Sequence, residues 1–268
     1  MEYYTKGTLI QALHNLGLGK GDTVIVHSNL ALMGIIENYS REKLLDTYYT
    51  ALTDIIGDEG TLCVPSYFWE YATKKIPFDI KLSPVSAQFG IFSQYVTSMK
   101  NSVRSCNPIF AVAAVGKNAE YICGGRNRFS HGLDSPWERM YKLNAKVLLI
   151  GIGCAYLSFL HYLEYQVGVT YRYNKQFNIP VYDDGKKVFD YTISFVTYLN
   201  KNVIKGGDRR TAELYDAGLL KRQQCGSGLL SICQVHPVFE FYKSKFYDNP
   251  FCFLKQLPSF SEDDYPLI

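Results

Sequence analysis

The stretch Val147-Leu148-Leu149-Ile150-Gly151-Ile152-Gly153 constrains this chain more than any other. Its apolar, β-branched start reads as a buried strand, and the two glycines break that strand before a helical segment that begins near Tyr156 and runs through Gln166. The chain is therefore expected to contain a strand-turn-helix unit here. On such a helix His161 and Glu164 stand three residues apart on one face, close enough for the carboxylate to orient the imidazole. A neutral imidazole titrating near neutrality is well suited to take a proton from an incoming nucleophile. A core histidine with a satisfied partner would leave the same pattern.

The rest of the chain alternates helices and strands, which predicts an α/β fold. Thr8–Leu16 has helical spacing and stops at Gly17 and Gly19, and Thr23–Val26 is a β-branched strand that delivers His27-Ser28-Asn29-Leu30. Polar residues at the exit of a buried strand are a favoured place for a ligand loop, although a simple connecting turn fits as well. A helix over 40–56 capped by Ser40 leads to a strand at 61–65. Residues 66–86 then turn irregular and aromatic, with Tyr67, Phe68, Trp69, Tyr71 and Phe78 around Asp79. Gln88–Met99 reads as helix and Ile109–Val115 as a strand closed by Gly116. Gly124–Arg128 forms a basic loop, and Asp134-Ser135-Pro136 caps a helix through Tyr141. After residue 175 the pattern changes to short alternating segments over 177–204 around the turn Asp183-Asp184-Gly185, which predicts an antiparallel hairpin. A helix near 209–220, a strand at 229–235 and an acidic tail over 258–268 complete the chain.

Charge and cysteine usage exclude several classes. The net charge of +3 is too small and dispersed for nucleic acid, and no segment has the make-up of a signal peptide or a membrane span. The seven cysteines form no Cys-x-x-Cys pair, so neither a disulfide framework nor a metal site is expected, and a cytoplasmic location is. Gly151-x-Gly153 fails as a dinucleotide fingerprint because Tyr156 occupies the third glycine position. A Cys154–His161 nucleophile pair is conceivable, yet a buried apolar cysteine is the commoner meaning. Neither a Gly-x-Ser-x-Gly elbow, a Walker loop nor a His-Glu-x-x-His motif occurs.

Several separated segments together resemble the aminoglycoside 3-N-acetyltransferase-like, or antibiotic N-acetyltransferase, family. They are Leu16-Gly17-Leu18 with Gly21-Asp22 and Val26–Leu30, Gly60-Thr61-Leu62 with Pro65, Phe78-Asp79 with Gly90, Arg104-Ser105-Cys106-Asn107-Pro108, Ser135-Pro136 and Leu160–Glu164. The resemblance covers roughly residues 5–175. It implies an α/β fold with a mixed sheet, flanking helices and antiparallel C-terminal strands. The organisation expected is a single acetyltransferase domain, with a core over 1–175, an extension over 176–257 and a tail over 258–268. It also implies transfer of acetyl from acetyl-coenzyme A to a sugar amine, with His161 and Glu164 as the catalytic pair and no metal. The loop His27, Ser28, Asn29, Leu30 and the segment Arg104–Ala114, including Ser105, Asn107, Val112 and Ala113, would line the coenzyme. Four departures stand out, namely Asn29 for a usual serine, Asn107 for a histidine, Ala111 for a frequent serine, and Ala155-Tyr156 for an acidic or amide approach to Leu160-His161.

Direct transfer needs a base for the amine, donors for the oxyanion and cations for the coenzyme phosphates. His161 would supply the first, backbone N–H groups or Ser28 the second, and Arg104, Arg126 and Arg128 the third. With 28 Lys+Arg against 25 Asp+Glu, the expected acceptor is a nucleotide-linked amino sugar of surface-glycan synthesis rather than a polycationic aminoglycoside. Tyr67, Trp69, Asp79 and Tyr156 are the candidate acceptor contacts. A non-catalytic nucleotide-binding module is a further alternative, and the chain is expected to be a monomer or homodimer.

Overall fold

The computed structural model describes residues 3–37, 40–199 and 201–260. The five apolar runs read from the sequence become strands of one seven-stranded sheet, to which the structure adds Val103–Arg104 and Lys221–Cys225; the strands are numbered here in chain order. They are β1 Thr23–Ser28, β2 Thr61–Pro65, β3 Val103–Arg104, β4 Val112–Gly116, β5 Lys146–Ile150, β6 Lys221–Cys225 and β7 Gly228–Gln234. Their spatial order is β6-β7-β5-β1-β2-β4-β3. β1 lies between β5 and β2 and is parallel to both, whereas both flanks of the sheet are antiparallel. The mixed α/β architecture expected from the sequence is the one observed.

These strands read as continuous apolar runs because both faces of the sheet are covered. Val24, Val26, Leu62, Val64, Leu148 and Ile150 face the helices Lys6–Asn15, Arg41–Ile56 and Gly90–Thr97. Ile25, Cys63, Val147 and Leu149 face the opposite way, toward Pro136–Lys142, Leu160–Gln166 and Val235–Asp248. Each fully buried Val, Leu or Ile contributes about 2 kcal/mol of transfer free energy. Local capping agrees with the sequence: Ser40 Oγ accepts from Lys43 N at 3.1 Å, and Ser135 Oγ accepts from Glu138 N at 3.2 Å.

A smaller unit arches over one end of the sheet. Phe78–Asp79 pairs in parallel with Val181–Asp183, which forms the expected hairpin with Lys186–Phe189, while Arg172–Phe177 pairs antiparallel with Thr192–Thr197. Phe68, Tyr71, Phe78, Ile109 and Val181 form its core. The long aromatic stretch after β2 thus wraps another element, and a short helix, Glu70–Thr73, interrupts it.

Several local bounds differ from the expected ones: the helix expected over 88–99 is Gly90–Thr97, that near 209–220 is Arg210–Asp216, and the strand expected over 109–115 is Val112–Gly116. The helix carrying His161 begins at Leu160, and Cys154–Tyr156 is a separate 3-10 turn that Thr211 Oγ1 anchors by accepting from Cys154 N at 2.9 Å. β6 was not readable, because Lys-Arg-Gln-Gln-Cys shows no apolar alternation. It is an edge strand with Lys221, Arg222 and Gln224 exposed. Of the acidic tail, residues 261–268 lie outside the described residues.

Candidate active site

Parallel strands release their polar residues on one side of a sheet, and here the carboxyl ends of β1, β2 and β5 do so together. β1 marks the point where the strand order diverges, since β2 lies on one side of it and β5 on the other. Crevices at such points are the usual ligand sites of open α/β sheets. A cavity of about 920 Å³ opens there. The loop 27–31 lines it, as do Pro65, Tyr67 and Trp69 after β2, Ile152 and 155–158 after β5, and Phe177, Val196 and Leu199 beneath the arch. Gly151 is required at this junction. Its φ is +70°, and a Cβ there would lie 2.5 Å from the Asn29 carbonyl oxygen.

His161 stands on the cavity wall with its side chain 19% exposed, and Glu164 lies behind it at 1%. His161 Nδ1 is 2.7 Å from Glu164 Oε2, and the Tyr171 hydroxyl donates to Glu164 Oε1 at 2.9 Å. Arg172 completes the cluster, with Nε 2.9 Å from Glu164 Oε2 and Nη2 2.9 Å from His161 Nδ1. Burial pushes the His161 imidazole down to about 3, and the charges of Arg172 and Lys205 add to this, so the ring is neutral near pH 7. Burial alone would raise the Glu164 carboxyl, but Arg172 and the His161 bond outweigh it and hold it well below the usual carboxylate range. An ionised Glu164 accepts a proton-bearing Nδ1, which leaves the Nε2 lone pair of His161 for the cavity.

The sequence placed His161 and Glu164 correctly relative to each other but missed Tyr171 and Arg172. The available signal was Gly168, just past the helix end, whose φ of +68° reverses the chain and returns Tyr171 and Arg172 to Glu164. The cavity cations Lys175 and Lys205 were missed as well.

Of the coenzyme candidates, His27, Ser28, Asn29 and Leu30 line the cavity. Burial lowers the His27 imidazole to about 4, so the ring is neutral, and its buried Nε2 has no hydrogen-bond partner among the described residues. Asn29 N is not available for an oxyanion, because it donates to the Ile150 carbonyl at 2.9 Å. Tyr67, Trp69 and Tyr156 also line the cavity, with Trp69 set edge-on to Phe89 at 5.1 Å.

The remaining candidates lie elsewhere, and the reason is that backbone groups already satisfy them. Arg104 is buried over the Phe78 ring, and its guanidinium donates to the carbonyls of Ser66 and Ser83, tying the arch to β3. Ser105 Oγ accepts from Val112 N at 2.9 Å. Asn107 donates to the carbonyls of Arg128 and Ile193 and accepts from Ile109 N, Phe110 N and the Ser194 hydroxyl. Val112 and Ala113 are fully buried within β4. Asp79 accepts from the backbone N–H groups of Lys81, Leu82, Asp184 and Gly185, pinning the hairpin. Arg126 does not line the cavity, and Arg128 packs on Tyr191 at 4.5 Å. Cys154 is buried off the cavity wall with its thiol pushed up by burial, which removes it as a nucleophile. Among the described residues no group of three or more His, Cys, Asp or Glu side chains could hold a metal ion, and no helix is long and apolar enough to cross a membrane.

A neutral imidazole backed by an ionised carboxylate, on the wall of a cavity at the sheet's carboxyl edge, is an arrangement able to accept a proton from a bound molecule. Comparison with known proteins narrows this. The model of one family, aminoglycoside 3-N-acetyltransferase, matches residues 25–247, and the chain belongs to that family. It is 33% identical over 190 residues to aminoglycoside N(3)-acetyltransferase IV from Salmonella sp, covering 70% of this chain and 69% of the relative. The solved apoenzyme of aminoglycoside acetyltransferase AAC(3)-IVa superposes with a TM-score of 0.75 at 24% identity, covering 95% of this chain and 92% of that one. AAC-IIIb, solved as a binary complex with CoASH, does so with a TM-score of 0.77 at 19% identity, covering 96% and 100%.

Proposed function

We propose that the chain is an N-acetyltransferase that uses acetyl-CoA, acts as a single domain in the cytoplasm, and has the amine of an aminoglycoside as acceptor, with His161 as general base. The observation that carries this reading is the His161–Glu164 contact of 2.7 Å on the wall of the cavity at the carboxyl ends of β1, β2 and β5. The cavity suits such a donor. It has the size of a cofactor pocket and holds an unpartnered, buried His27 Nε2 at the exit of β1. Lys175 and Lys205 on the same wall match anionic phosphates. Acetyl-CoA brings an acyl group already activated as a thioester.

His161 does the proton work. A base held at about 3 is too weak to strip a free ammonium, so the acceptor reacts from its neutral amine fraction. As the new C–N bond forms, the nitrogen becomes acidic, and Nε2 takes its proton while Glu164 stabilises the imidazolium. The C–S bond then breaks, and Nε2 returns the proton to the departing thiolate, which is far the stronger base and leaves as the thiol.

The acceptor assignment departs from the nucleotide-linked amino sugar expected from overall charge. A net charge of +3 says little about one pocket, and the relatives above are aminoglycoside enzymes. One observation keeps the anionic acceptor as a second reading: among the described residues the cavity wall carries Arg172, Lys175 and Lys205 and no carboxylate. Initial rates of acetyl-CoA-dependent thiol release decide between them. Faster turnover on an aminoglycoside than on a nucleotide-linked amino sugar is expected. The reverse order transfers the assignment to the anionic acceptor, and no release with either overturns the enzymatic reading.

A further inference from the structure

Arg172 is the first residue of the strand Arg172–Phe177, and its side chain is 2% exposed. A buried guanidinium is costly unless it is matched by charge and hydrogen bonds, and here the charge that matches it belongs to the base: it pairs with Glu164 as an ion pair, although Nε makes no hydrogen bond. Nε stands 2.9 Å from Glu164 Oε2, Nη2 stands 2.9 Å from His161 Nδ1, and Nη1 donates to the Phe195 carbonyl at 3.2 Å. Glu164 is therefore held at both oxygens, by Arg172 on one and by the Tyr171 hydroxyl on the other.

His161 Nδ1 thus faces a carboxylate oxygen at 2.7 Å and a guanidinium N–H at 2.9 Å, and one nitrogen serves only one of them. With a proton on Nδ1 it donates to Glu164, and Nε2 is a bare lone pair. With the proton on Nε2 it accepts from Arg172, but its own lone pair then opposes a carboxylate oxygen at that short distance. The first arrangement wins as long as Glu164 remains ionised and in place, which is what Arg172 and Tyr171 together enforce.

We propose that Arg172 is a positioning residue for the catalytic base: by fixing Glu164 as a charged acceptor it holds His161 in the tautomer protonated on Nδ1, with Nε2 free toward the cavity. This rests on the reading of His161 as the base. The charged and titratable groups around the ring are Glu164 on its own helix, Arg172 on the strand, Lys205 on the segment before the helix Arg210–Asp216, and His131, whose ring centroid is 6.5 Å away. Two cations against one anion keep the ring neutral until a proton arrives from the reacting amine. The same imbalance makes the protonated ring a ready donor to the leaving thiolate.

The test is two-bond proton–nitrogen correlation on the full chain labelled at its histidine nitrogens. His161 is expected to show the Nδ1–H pattern from pH 8 down to pH 5, without titrating. An Nε2–H pattern, or an imidazolium at pH 7, overturns the proposal. In Arg172→Gln the ring is expected to titrate at least two pH units higher, roughly a hundredfold in proton affinity. The logarithm of kcat/KM against pH then steepens from a slope of one toward two below that value, and Arg172→Lys, which keeps the charge, restores the slope of one. An Arg172→Gln protein with unshifted His161 signals and an equal loss of rate at every pH reduces Arg172 to a structural part. If that variant does not fold, the His161 signals of Arg172→Lys decide instead: the Nδ1–H pattern without titration down to pH 5 is expected, and an Nε2–H pattern despite the retained charge overturns the proposal. The tautomer is read without turnover, so full activity in His161→Ala would remove the base assignment while leaving this measurement intact.

Discussion

Two groups of polar residues, one on the cavity wall and one away from it, differ in where their hydrogen bonds end. In the cluster of His161, Glu164, Tyr171 and Arg172, most hydrogen bonds run between side chains, and His161 and Arg172 stand on the cavity wall. In the group of Arg104, Asn107 and Asp79, most hydrogen bonds end on backbone amides and carbonyls, although Arg104 Nε has no partner among the described residues. Both occupy chain just beyond or between strands, and both consist of residue types that serve catalysis. Polar identity therefore does not make a ligand contact; a place on the cavity wall separates the two, since that wall carries His161 and Arg172 and none of Arg104, Asn107 and Asp79. The first cluster is built to act on something else, and the second holds the arch over the sheet.

Acid should strain the cavity side first. His27 is lowered to about 4, His161 to about 3 and His131 well below its ordinary value, in each case mainly by burial. The unfolded chain takes up these protons near pH 6.5 while the folded chain does not. The stability they contribute is therefore complete above that pH and declines as pH falls from about 6.5 toward 4. The slope reaches at most about 4 kcal/mol per pH unit when all three act together. Urea unfolding midpoints at pH 7, 6 and 5 should fall with increasing steepness, and His27→Gln should lessen the slope by about a third. A midpoint independent of pH over this range would mean that the histidines are not held neutral.

His161→Ala should lower kcat by roughly 10²–10⁴-fold, with acetyl-CoA affinity changed little. Glu164→Gln should cost less. Retention of wild-type kcat at neutral pH would place the two clusters on an equal footing and dissolve the comparison.

Arg104→Met should act in the opposite sense. It strands the Ser66 and Ser83 carbonyls and lowers stability by about 3 kcal/mol, while acetyl-CoA affinity and its salt dependence remain as in the parent chain. Calorimetric titration at two salt concentrations checks this. A salt-dependent loss of affinity at unchanged stability would return Arg104 to the coenzyme site.

The sheet and its helices were legible because burial on both faces writes itself as long apolar runs, as in Thr23–Val26 and Val147–Ile150, and because capping residues such as Ser40 and Ser135 mark helix starts locally. The pair His161 and Glu164 was legible for the same reason, since three residues on a helix fix a distance. Arg172 was not, because its approach depends on the reversal at Gly168, and Lys205 comes from a segment far along the chain. Arg104 and Asn107 misled because sequence shows a side chain's chemistry but not which carbonyls will occupy it.

One feature of the sheet bears on how copies of this chain behave in a crowded solution. Its outer strands are poor templates: β6 presents Lys221, Arg222 and Gln224 to solvent, and β3 at the opposite margin is two residues long. An incoming strand would have to dehydrate adjacent cations on one margin and would find almost no ladder to extend on the other. The apolar strands that make the core so legible are thus enclosed between margins that discourage the addition of a further strand to this sheet.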